Sequence, residues 1–226
     1  MPVSIVVPVL NEEKNILNTL TTLRNSCSEA DEIIVVDGGS TDQTRTQAER
    51  YSDVVISAER GRARQLNAGA AIAKHPVLWF VHADTLVPEC GAAIVRQTLE
   101  NRHWGRFDVR FTSSRRIFSA IAFCMNLRSR LSGVATGDQA IFVTREYFDR
   151  VHGFPEIPLM EDVDLSKALR AFSRPVCLTE TVTTSSRRWE SEGIVRTILL
   201  MWKLRFLHFV GTPATKLARQ YRSLRS

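Results

Sequence analysis

An apolar run that ends at a single carboxylate constrains the fold of this chain more than any other feature. Leu78-Trp79-Phe80-Val81 leads into His82-Ala83-Asp84, and Pro76 and Pro88 bound the segment. Such a run is typical of a central strand in a mostly parallel sheet, where ligands gather beyond the carboxyl ends of the strands. Asp84 would lie at such an end, either as a metal or phosphate contact or as the cap of a helix starting near Pro88.

Size and cysteine usage indicate one domain in a reducing compartment. The chain has 226 residues, a mass of 25.5 kDa and 44% hydrophobic residues, which is enough for one well-buried domain. Its four cysteines lack CxxC spacing and lie in or beside apolar segments, which favours buried free thiols over zinc ligands or disulfides. Met1-Pro2-Val3 runs directly into a strand, so we expect no secretory signal and a cytoplasmic protein.

The excess positive charge is concentrated at the C-terminal end. The net charge is +6, and the segment from Gly193 onward contains no acidic residue but seven basic ones: Arg196, Lys203, Arg205, Lys216, Arg219, Arg222 and Arg225. The other 23 basic residues nearly balance the 24 acidic ones. This distribution argues against binding of nucleic acid over the whole domain. It favours a local contact with anionic lipid or another polyanion, or a solvated tail.

Strands and helices alternate in the first half of the chain. A β-branched strand from Val3 to Leu10 precedes Asn11, the expected N-cap of a helix. The apolar face of that helix holds Ile16, Leu17, Leu20 and Leu23. A second strand, Glu32 to Val36, runs into Asp37-Gly38-Gly39, where the glycines permit a tight turn before the next helix.

This alternation predicts a three-layer α/β sheet. We expect the domain to comprise residues 1–190, with residues 191–226 as a basic helical extension packed on it. The GxGxxG spacing is absent, which argues against a dinucleotide-binding dehydrogenase.

Three arginines at alternate positions precede an alanine-rich helix. Arg60, Arg62 and Arg64 follow a short strand, and the helix is expected from Ala68 to Ala73. The segment is either a solvated basic loop or an anion clamp, because guanidinium groups bind phosphate through paired hydrogen bonds. We favour the clamp, since a helix packed under the central strand would hold the arginines near Asp84.

A second group of carboxylates follows Pro155 and Pro158. Glu161-Asp162-Val163-Asp164 precedes a helix expected over residues 163–171. Acidic residues there either complement the helix dipole or supply a general base beside an acceptor hydroxyl. A turn-rich loop nearer the middle of the chain can approach a ligand closely. The candidates for the acceptor side are Gly137, Asp138, Gln139 and Glu161.

Four segments, in their order and spacing, resemble the family 2 glycosyltransferases of the GT-A fold. They are Ile5 to Glu13, Val35 to Asp42, Arg64 to Gly69 and His82 to Thr85. The resemblance implies a three-layer α/β/α GT-A fold with a mixed, mostly parallel central sheet. It also implies transfer of a sugar from a nucleotide-diphosphate donor, assisted by Mn²⁺ or Mg²⁺.

The resemblance assigns roles to residues as well. Asp84 corresponds to the metal-binding carboxylate of the DxD element, in which His82 replaces the usual first Asp, and Asp162 corresponds to the catalytic base. The metal can take its other ligands from phosphates and waters. The residues expected to bind the nucleotide sugar are Pro8, Val9, Leu10, Glu12, Asp37, Gly38, Arg62, Arg64, Asn67, His82, Ala83, Asp84, Arg187 and Arg188.

Ser185-Ser186-Arg187-Arg188-Trp189 resembles the QxxRW element of processive polysaccharide synthases, with Ser185 in place of Gln. The transmembrane helices of those synthases are missing, which favours a single transfer, with inversion by direct displacement. The acceptor is open: a lipid, a glycan or a small molecule. Two other interpretations are a non-catalytic nucleotide-sugar sensor or membrane adaptor, and a sugar-phosphate nucleotidylyltransferase, whose glycine-rich, lysine-bearing loop is absent.

Residues 194–210 are predicted to form an amphipathic helix. The stripe that we expect to pack on the domain contains Val195, Ile198, Leu199, Trp202, Phe206, Phe209 and Val210. The opposite side would then be exposed, with Leu200, Leu204 and Leu207 among Arg196, Lys203 and His208. That surface would suit an anionic membrane or a second copy of the chain, and its charges argue against a spanning helix.

Overall fold

The predicted strands assemble into one mixed sheet. The computed structural model describes residues 1–223, and its strands are β1 (Val3–Val9), β2 (Glu32–Asp37), β3 (Val54–Ser57), β4 (Val77–Phe80), β5 (Thr85–Leu86), β6 (Trp104–Phe111), β7 (Phe142–Thr144) and β8 (Val176–Thr184). Their order is β3-β2-β1-β4-β7-β6-β8-β5. The first four strands in this order are parallel to one another, and β7 is antiparallel to both of its neighbours. Strands β6 and β8 are parallel, and β5 is antiparallel to β8. The apolar run therefore forms a central strand, as predicted.

The helices lie on both faces of this sheet. Within residues 1–223 they are α1 (Ile16–Ser26), α2 (Thr44–Ala48), α3 (Arg62–Ile72), α4 (Gly91–Thr98), α5 (Arg116–Ser132), α6 (Arg145–Arg150), α7 (Glu161–Phe172), α8 (Arg187–Glu192), α9 (Ile194–Phe209) and α10 (Ala214–Ser223). A 3-10 turn spans Gly137–Gln139. In this part of the chain, no helix combines the length and the apolar character that crossing a membrane requires.

Alternation along β1 and β2 separates two apolar layers. Ile5 and Val7 pack in one cluster with residues of α1 and α4, whereas Val6 packs in a second cluster with residues of α3, α6 and α7. Successive strand residues point to opposite faces, so a continuous apolar strand serves both layers. The three-layer α/β/α GT-A architecture is confirmed.

Helix α3 approaches the sheet closely and begins earlier than expected. A Cβ on Gly69 would lie 2.4 Å from Cγ1 of Val6, so only glycine allows this contact. The helix starts at Arg62 rather than near Ala68. Arg62 and Arg64 therefore belong to its first turn, which fixes them on different sides of the helix.

Two expectations for the first helix are wrong. Asn11 is not its N-cap, because α1 begins at Ile16 and Asn11 has a left-handed backbone with φ 53°. Its side-chain oxygen accepts a hydrogen bond from Thr41 N at 2.8 Å and so joins two loops. Leu17 is 40% exposed, whereas the other predicted apolar residues of this face are buried.

The cysteines are free, as predicted, but they are not buried. Cys90 and Cys124 are exposed, and Cys27 and Cys177 are partly buried. Cys27 and Cys90 lie at the ends of α1 and α4, Cys124 lies on an exposed position of α5, and Cys177 is in β8.

The orientation of α9 is the reverse of the expected one. Leu200 and Leu204 are buried and pack with Met160 and Val163 of the α7 region and with Leu217 of α10. Of the stripe expected to pack on the domain, Ile198 is partly buried and the other six residues are exposed instead. Of the basic C-terminal residues, Arg225 lies outside the described residues, and the side chain of Arg222 is not described.

Candidate active site

Asp84 lies beyond the carboxyl end of the central strand. It is in the turn that follows β4, and it does not cap a helix, because α4 begins at Gly91 with Cys90 as its N-cap. Burial raises the pKa of the Asp84 carboxyl group; the charge of His82 opposes this shift and that of Asp138 adds to it. A carboxylate in this position carries a charge that the surrounding protein does not fully compensate.

His82 connects the Asp84 turn to the predicted acceptor loop. Its Nδ1 lies 3.3 Å from Oδ1 of Asp138. Burial alone would raise the pKa of Asp138, but the hydrogen bond and charge of His82, with the charge of Arg62, outweigh burial and lower the pKa to about 2. The structure thus places His82 beside the carboxylate of Asp138, whose charge also acts on Asp84.

Asp162 is held by two backbone amides. Gly137 N donates to its Oδ2 at 2.7 Å, and Val163 N donates to its Oδ1 at 2.7 Å. The residue stands in the first turn of α7, where the helix dipole favours a negative charge. These contacts orient the carboxylate and keep one helix terminus and the acceptor loop together.

Glu161 and Arg62 form a partly buried ion pair. The guanidinium Nη1 of Arg62 lies 3.3 Å from Oε1 of Glu161, whose side chain is only 3% exposed. Burial and the neighbouring charge of Asp162 raise the pKa of Glu161, whereas Arg62 lowers it. The carboxylates of Glu161 and Asp162 together raise the pKa of Arg62 against the effect of burial. Arg62, His82, Glu161 and Asp162 all line one enclosed cavity of about 10 Å³.

The predicted nucleotide side is built from the ends of β1 and β2. Val9 pairs with Asp37 in the parallel register, and Gly38 N donates to Val9 O at 2.9 Å, which brings Pro8, Leu10 and Gly38 to one edge. The Asp37 carboxylate accepts hydrogen bonds from Ser40 N at 3.0 Å and Ser40 Oγ at 2.6 Å. Asp37 therefore shapes the turn.

Glu12 links this edge of the sheet to Arg187 at the start of α8. Its Oε2 accepts a hydrogen bond from Asn15 Nδ2 at 2.6 Å and lies 3.7 Å from Nη2 of Arg187. Burial raises the pKa of Glu12, and the charge of Asp84 adds to the shift. Arg187, predicted to contact a diphosphate, is thus directed towards the carboxylate side of the site.

Four predicted site residues are engaged elsewhere. Arg64 forms ion pairs with Glu59 and with Glu156, the latter at 3.3 Å. The Asn67 amide exchanges two hydrogen bonds with the backbone of Phe154, at 2.8 and 2.9 Å.

Gln139 and Arg188 are the other two. Gln139 is fully buried, and its Oε1 accepts a hydrogen bond from Thr136 N at 3.2 Å. Arg188 pairs with Glu192 at 3.5 Å and lies over the ring of Tyr221. Arg64, Asn67 and Gln139 therefore already hold other parts of the fold together. The buried Nε and Nη2 of Arg188, by contrast, make no hydrogen bond among the described residues, and the charge of Arg188 helps to lower the pKa of Asp138. Ala83 likewise contributes its carbonyl, which accepts from Thr19 Oγ1 at 2.7 Å.

Sequence reasoning missed two residues. The buried Gln65 amide donates to Val9 O at 2.9 Å and to Val36 O at 2.8 Å, and so fixes the ends of β1 and β2. Arg128 of α5 donates to Val134 O at 3.2 Å, and its buried Nε and Nη2 have no hydrogen-bond partner among the described residues. Burial, with the charge of Arg205, lowers its pKa to about 10. The one signal in the sequence concerned Arg128, which is an arginine inside the apolar pattern of a helix.

The carboxylates of the site could bind a divalent cation only if phosphates or waters supplied further metal ligands. Within residues 1–223, no three His, Cys, Asp or Glu side chains are arranged to hold a metal ion by themselves. The raised pKa values of Asp84 and Glu12 nevertheless mark uncompensated negative charge, which a cation would neutralise. Oxygen donors suit Mg²⁺ and Mn²⁺, and phosphates and waters can complete the shell.

A mixed sheet with carboxylates gathered beyond its central strand is the architecture of the GT-A glycosyltransferases. The model of the family Glycosyl transferase family 2 matches residues 4–150, well over half of the chain. The chain therefore belongs to glycosyl transferase family 2. The match ends before Glu161 and Asp162. No curated protein sequence gives a significant match.

Solved structures with the same fold come from distant sequences. TarS 1-349 from S. aureus is 20% identical, with a TM-score of 0.66 over 82% of this chain and 61% of that chain. The mannosyltransferase PcManGT from Pyrobaculum calidifontis, in complex with GDP-Man and Mn²⁺, is 23% identical, with a TM-score of 0.63 over 80% of this chain and 56% of that chain.

A third structure is glucosyl-3-phosphoglycerate synthase from Mycobacterium tuberculosis with Mn²⁺, UDP and glucosyl-3-phosphoglycerate. It is 19% identical, with a TM-score of 0.60 over 80% of this chain and 70% of that chain. The present chain spans about three fifths of the TarS structure. These similarities establish the fold.

Proposed function

We propose that this chain is a metal-dependent, inverting glycosyltransferase that makes a single transfer from a nucleotide-diphosphate sugar to an acceptor hydroxyl. The observation that carries the proposal is the convergence of Asp84, Asp138 and Asp162 through the His82 and Gly137 contacts. Membership of family 2 supports the donor class, and the bound UDP and GDP sugars of its structural neighbours agree with it.

The general base in this proposal is Asp162. Two backbone amides orient the carboxylate, so that it can take the proton from the acceptor hydroxyl. The hydroxyl oxygen then forms a bond to the anomeric carbon while the bond from that carbon to the diphosphate oxygen breaks. The electron pair leaves with the diphosphate, and direct displacement inverts the configuration.

Positive charge in the site would stabilise the leaving diphosphate. Arg62 lies beside Glu161 and Arg187 lies beside Glu12, and both guanidinium groups would bind phosphate oxygens. Asp84 would hold the divalent ion, which supplies charge neutralisation for the diphosphate when bound. Mn²⁺ in two of the structural neighbours supports this assignment.

The chemical class of the acceptor and the contact of the enzyme with a membrane or a second copy do not follow from the carboxylates. The acceptor carries a nucleophilic hydroxyl on a lipid, a glycan or a small molecule. Contact with a membrane or with a second copy of the chain, expected at residues 194–210, depends on the exposed surface of α9 rather than on the carboxylates.

Calorimetric titration with UDP and with GDP, in Mn²⁺ and in EDTA, tests donor and metal together. We expect one nucleotide to bind more tightly in Mn²⁺, and Asp84→Asn to abolish the difference. Slow hydrolysis of the matching nucleotide sugar should fall in Asp162→Asn and persist in the control Asp164→Asn. Metal-dependent binding without any turnover in the unsubstituted protein would favour the sensor interpretation, and equal binding in EDTA would reject the metal role.

A further inference from the structure

The outer face of α9 is an apolar stripe with no partner in the described part of the chain. Val195, Leu199, Trp202, Phe206 and Phe209 follow one another at steps of four and three residues, and each is between 60% and 80% exposed. Isolated exposed apolar residues are ordinary, but a continuous stripe with Trp and two Phe marks an interaction surface.

Helix α5 extends this surface. Phe123, Leu127 and Leu131 lie four residues apart on one side of the helix, and they are 65%, 42% and 70% exposed. The inner side of α5 packs against the start of α9, where Phe118 and Ile121 share a cluster with Ile194 and Ile198. The two helices are thus packed together through their inner sides, and their exposed apolar faces are called the two-helix surface below.

Basic residues border the stripe on α9. Lys203 lies beside Leu199 and Phe206, and Arg205 lies beside Trp202 and Phe209 on the other edge, by helical spacing. The chain has no acidic residue from Gly193 to its end. Apolar side chains with a basic residue on each edge match the boundary of an anionic bilayer. There, aromatic rings enter the acyl region and long cationic side chains reach the headgroups.

We propose that the two-helix surface binds the face of an anionic lipid bilayer. A second copy of the chain fits less well. The alternating steps of four and three residues would allow two α9 helices to pair. Pairing would, however, bring Lys203 and Arg205 of both copies together, and the segment has no carboxylate to offset their charge. A bilayer surface provides that negative charge.

Flotation of the full chain with vesicles tests the proposal. Vesicles of phosphatidylcholine alone are compared with vesicles in which phosphatidylglycerol replaces part of it. We expect binding to the second kind, weakened by salt. Lys203→Ala should lower the partition coefficient about fivefold, equivalent to about 1 kcal/mol for one basic residue at such a surface. Lys74→Ala, an exposed lysine on another part of the domain, is the control.

Tryptophan emission locates the contact. Trp79 and Trp104 are buried and Trp189 is partly buried, whereas Trp202 is 70% exposed, so insertion should shift the emission of Trp202 to shorter wavelength. Trp202→Phe should remove this shift while flotation continues. Phe206→Ser with Phe209→Ser should abolish flotation, and Leu17→Ser, on an exposed site of α1, should not.

Three results would overturn the proposal. The first is a dimer in sedimentation that Phe206→Ser dissociates, together with indifference to vesicles; this would make the stripe a protein interface. The second is a monomer that ignores both kinds of vesicle. The third is equal binding to neutral and anionic vesicles, because the basic borders would then have no role.

Discussion

Gly137→Ala should uncouple the loop at residues 137–139 from Asp162, the proposed base. A Cβ at this position would lie 2.3 Å from Nε2 and 2.4 Å from Cε1 of His82. Ordinary carbon contacts begin at about 3.5 Å, so His82 or the loop must move by about 1 Å. Gly137 N donates to Asp162 at 2.7 Å, and a shift of this size breaks that hydrogen bond.

The expected loss follows from this bond. A hydrogen bond to a charged group contributes about 1.5–3 kcal/mol, so its complete loss from the transition state would slow turnover roughly 10- to 150-fold. Overpacking should also cost about 1–3 kcal/mol of stability. Single-turnover transfer or donor hydrolysis, measured on protein that is folded by circular dichroism, gives the rate.

The control is a similar clash away from the carboxylates. A Cβ on Gly105 would lie 2.6 Å from Phe142 and from Val176 O, and neither is among the site residues. Gly105→Ala should therefore lower the melting temperature without changing turnover of the folded fraction. Unchanged turnover in folded Gly137→Ala would refute the claim that the loop amide positions Asp162.

Further expectations concern the two carboxylates. Asp162→Asn should reduce turnover by roughly 10² to 10⁴ with little change in donor affinity, and Asp164→Asn, whose carboxylate contacts His208, should do less harm in the same assay. His82→Ala should impair metal-enhanced nucleotide binding less than Asp84→Asn in calorimetry; the reverse order would reassign the ligand. Because burial raises the folded-state pKa of Asp84, the metal-free protein should gain stability as the pH falls through that pKa, and Asp84→Asn should lack this gain in melting curves. Metal affinity should change in the opposite direction, weakening over the same range because protons compete for the carboxylate, and a flat profile would contradict Asp84 as the ligand.

Sequence patterns predicted those parts of the site that depend on short segments of the chain. The ends of β1, β2 and β4 could be located because strand periodicity and glycine turns are local signals, and Asp37 and Asp84 lie where these signals place them. For Asp162 the local pattern predicted only an acidic residue at a helix start, which the structure has, and its role as a base comes from the resemblance to family 2. Asn67 binds the backbone of Phe154, 87 residues further along the chain, and one of the two partners of Arg64 is Glu156; such distant contacts could not be predicted from sequence patterns.

The amino-acid sequence by itself determined the family, the α/β layers and the carboxylates around which the site is built, because these depend on periodicity and on the spacing of motifs. Tertiary structure alone decided how the carboxylates are coupled, since Arg62 meets Glu161 across 99 residues and Gly137 meets Asp162 across 25. It also decided which face of α9 is buried. Both faces of that helix are apolar enough to pack, and the choice was made by Met160, Val163 and Leu217, whose surfaces fit the Leu200 and Leu204 side and leave the aromatic stripe outward.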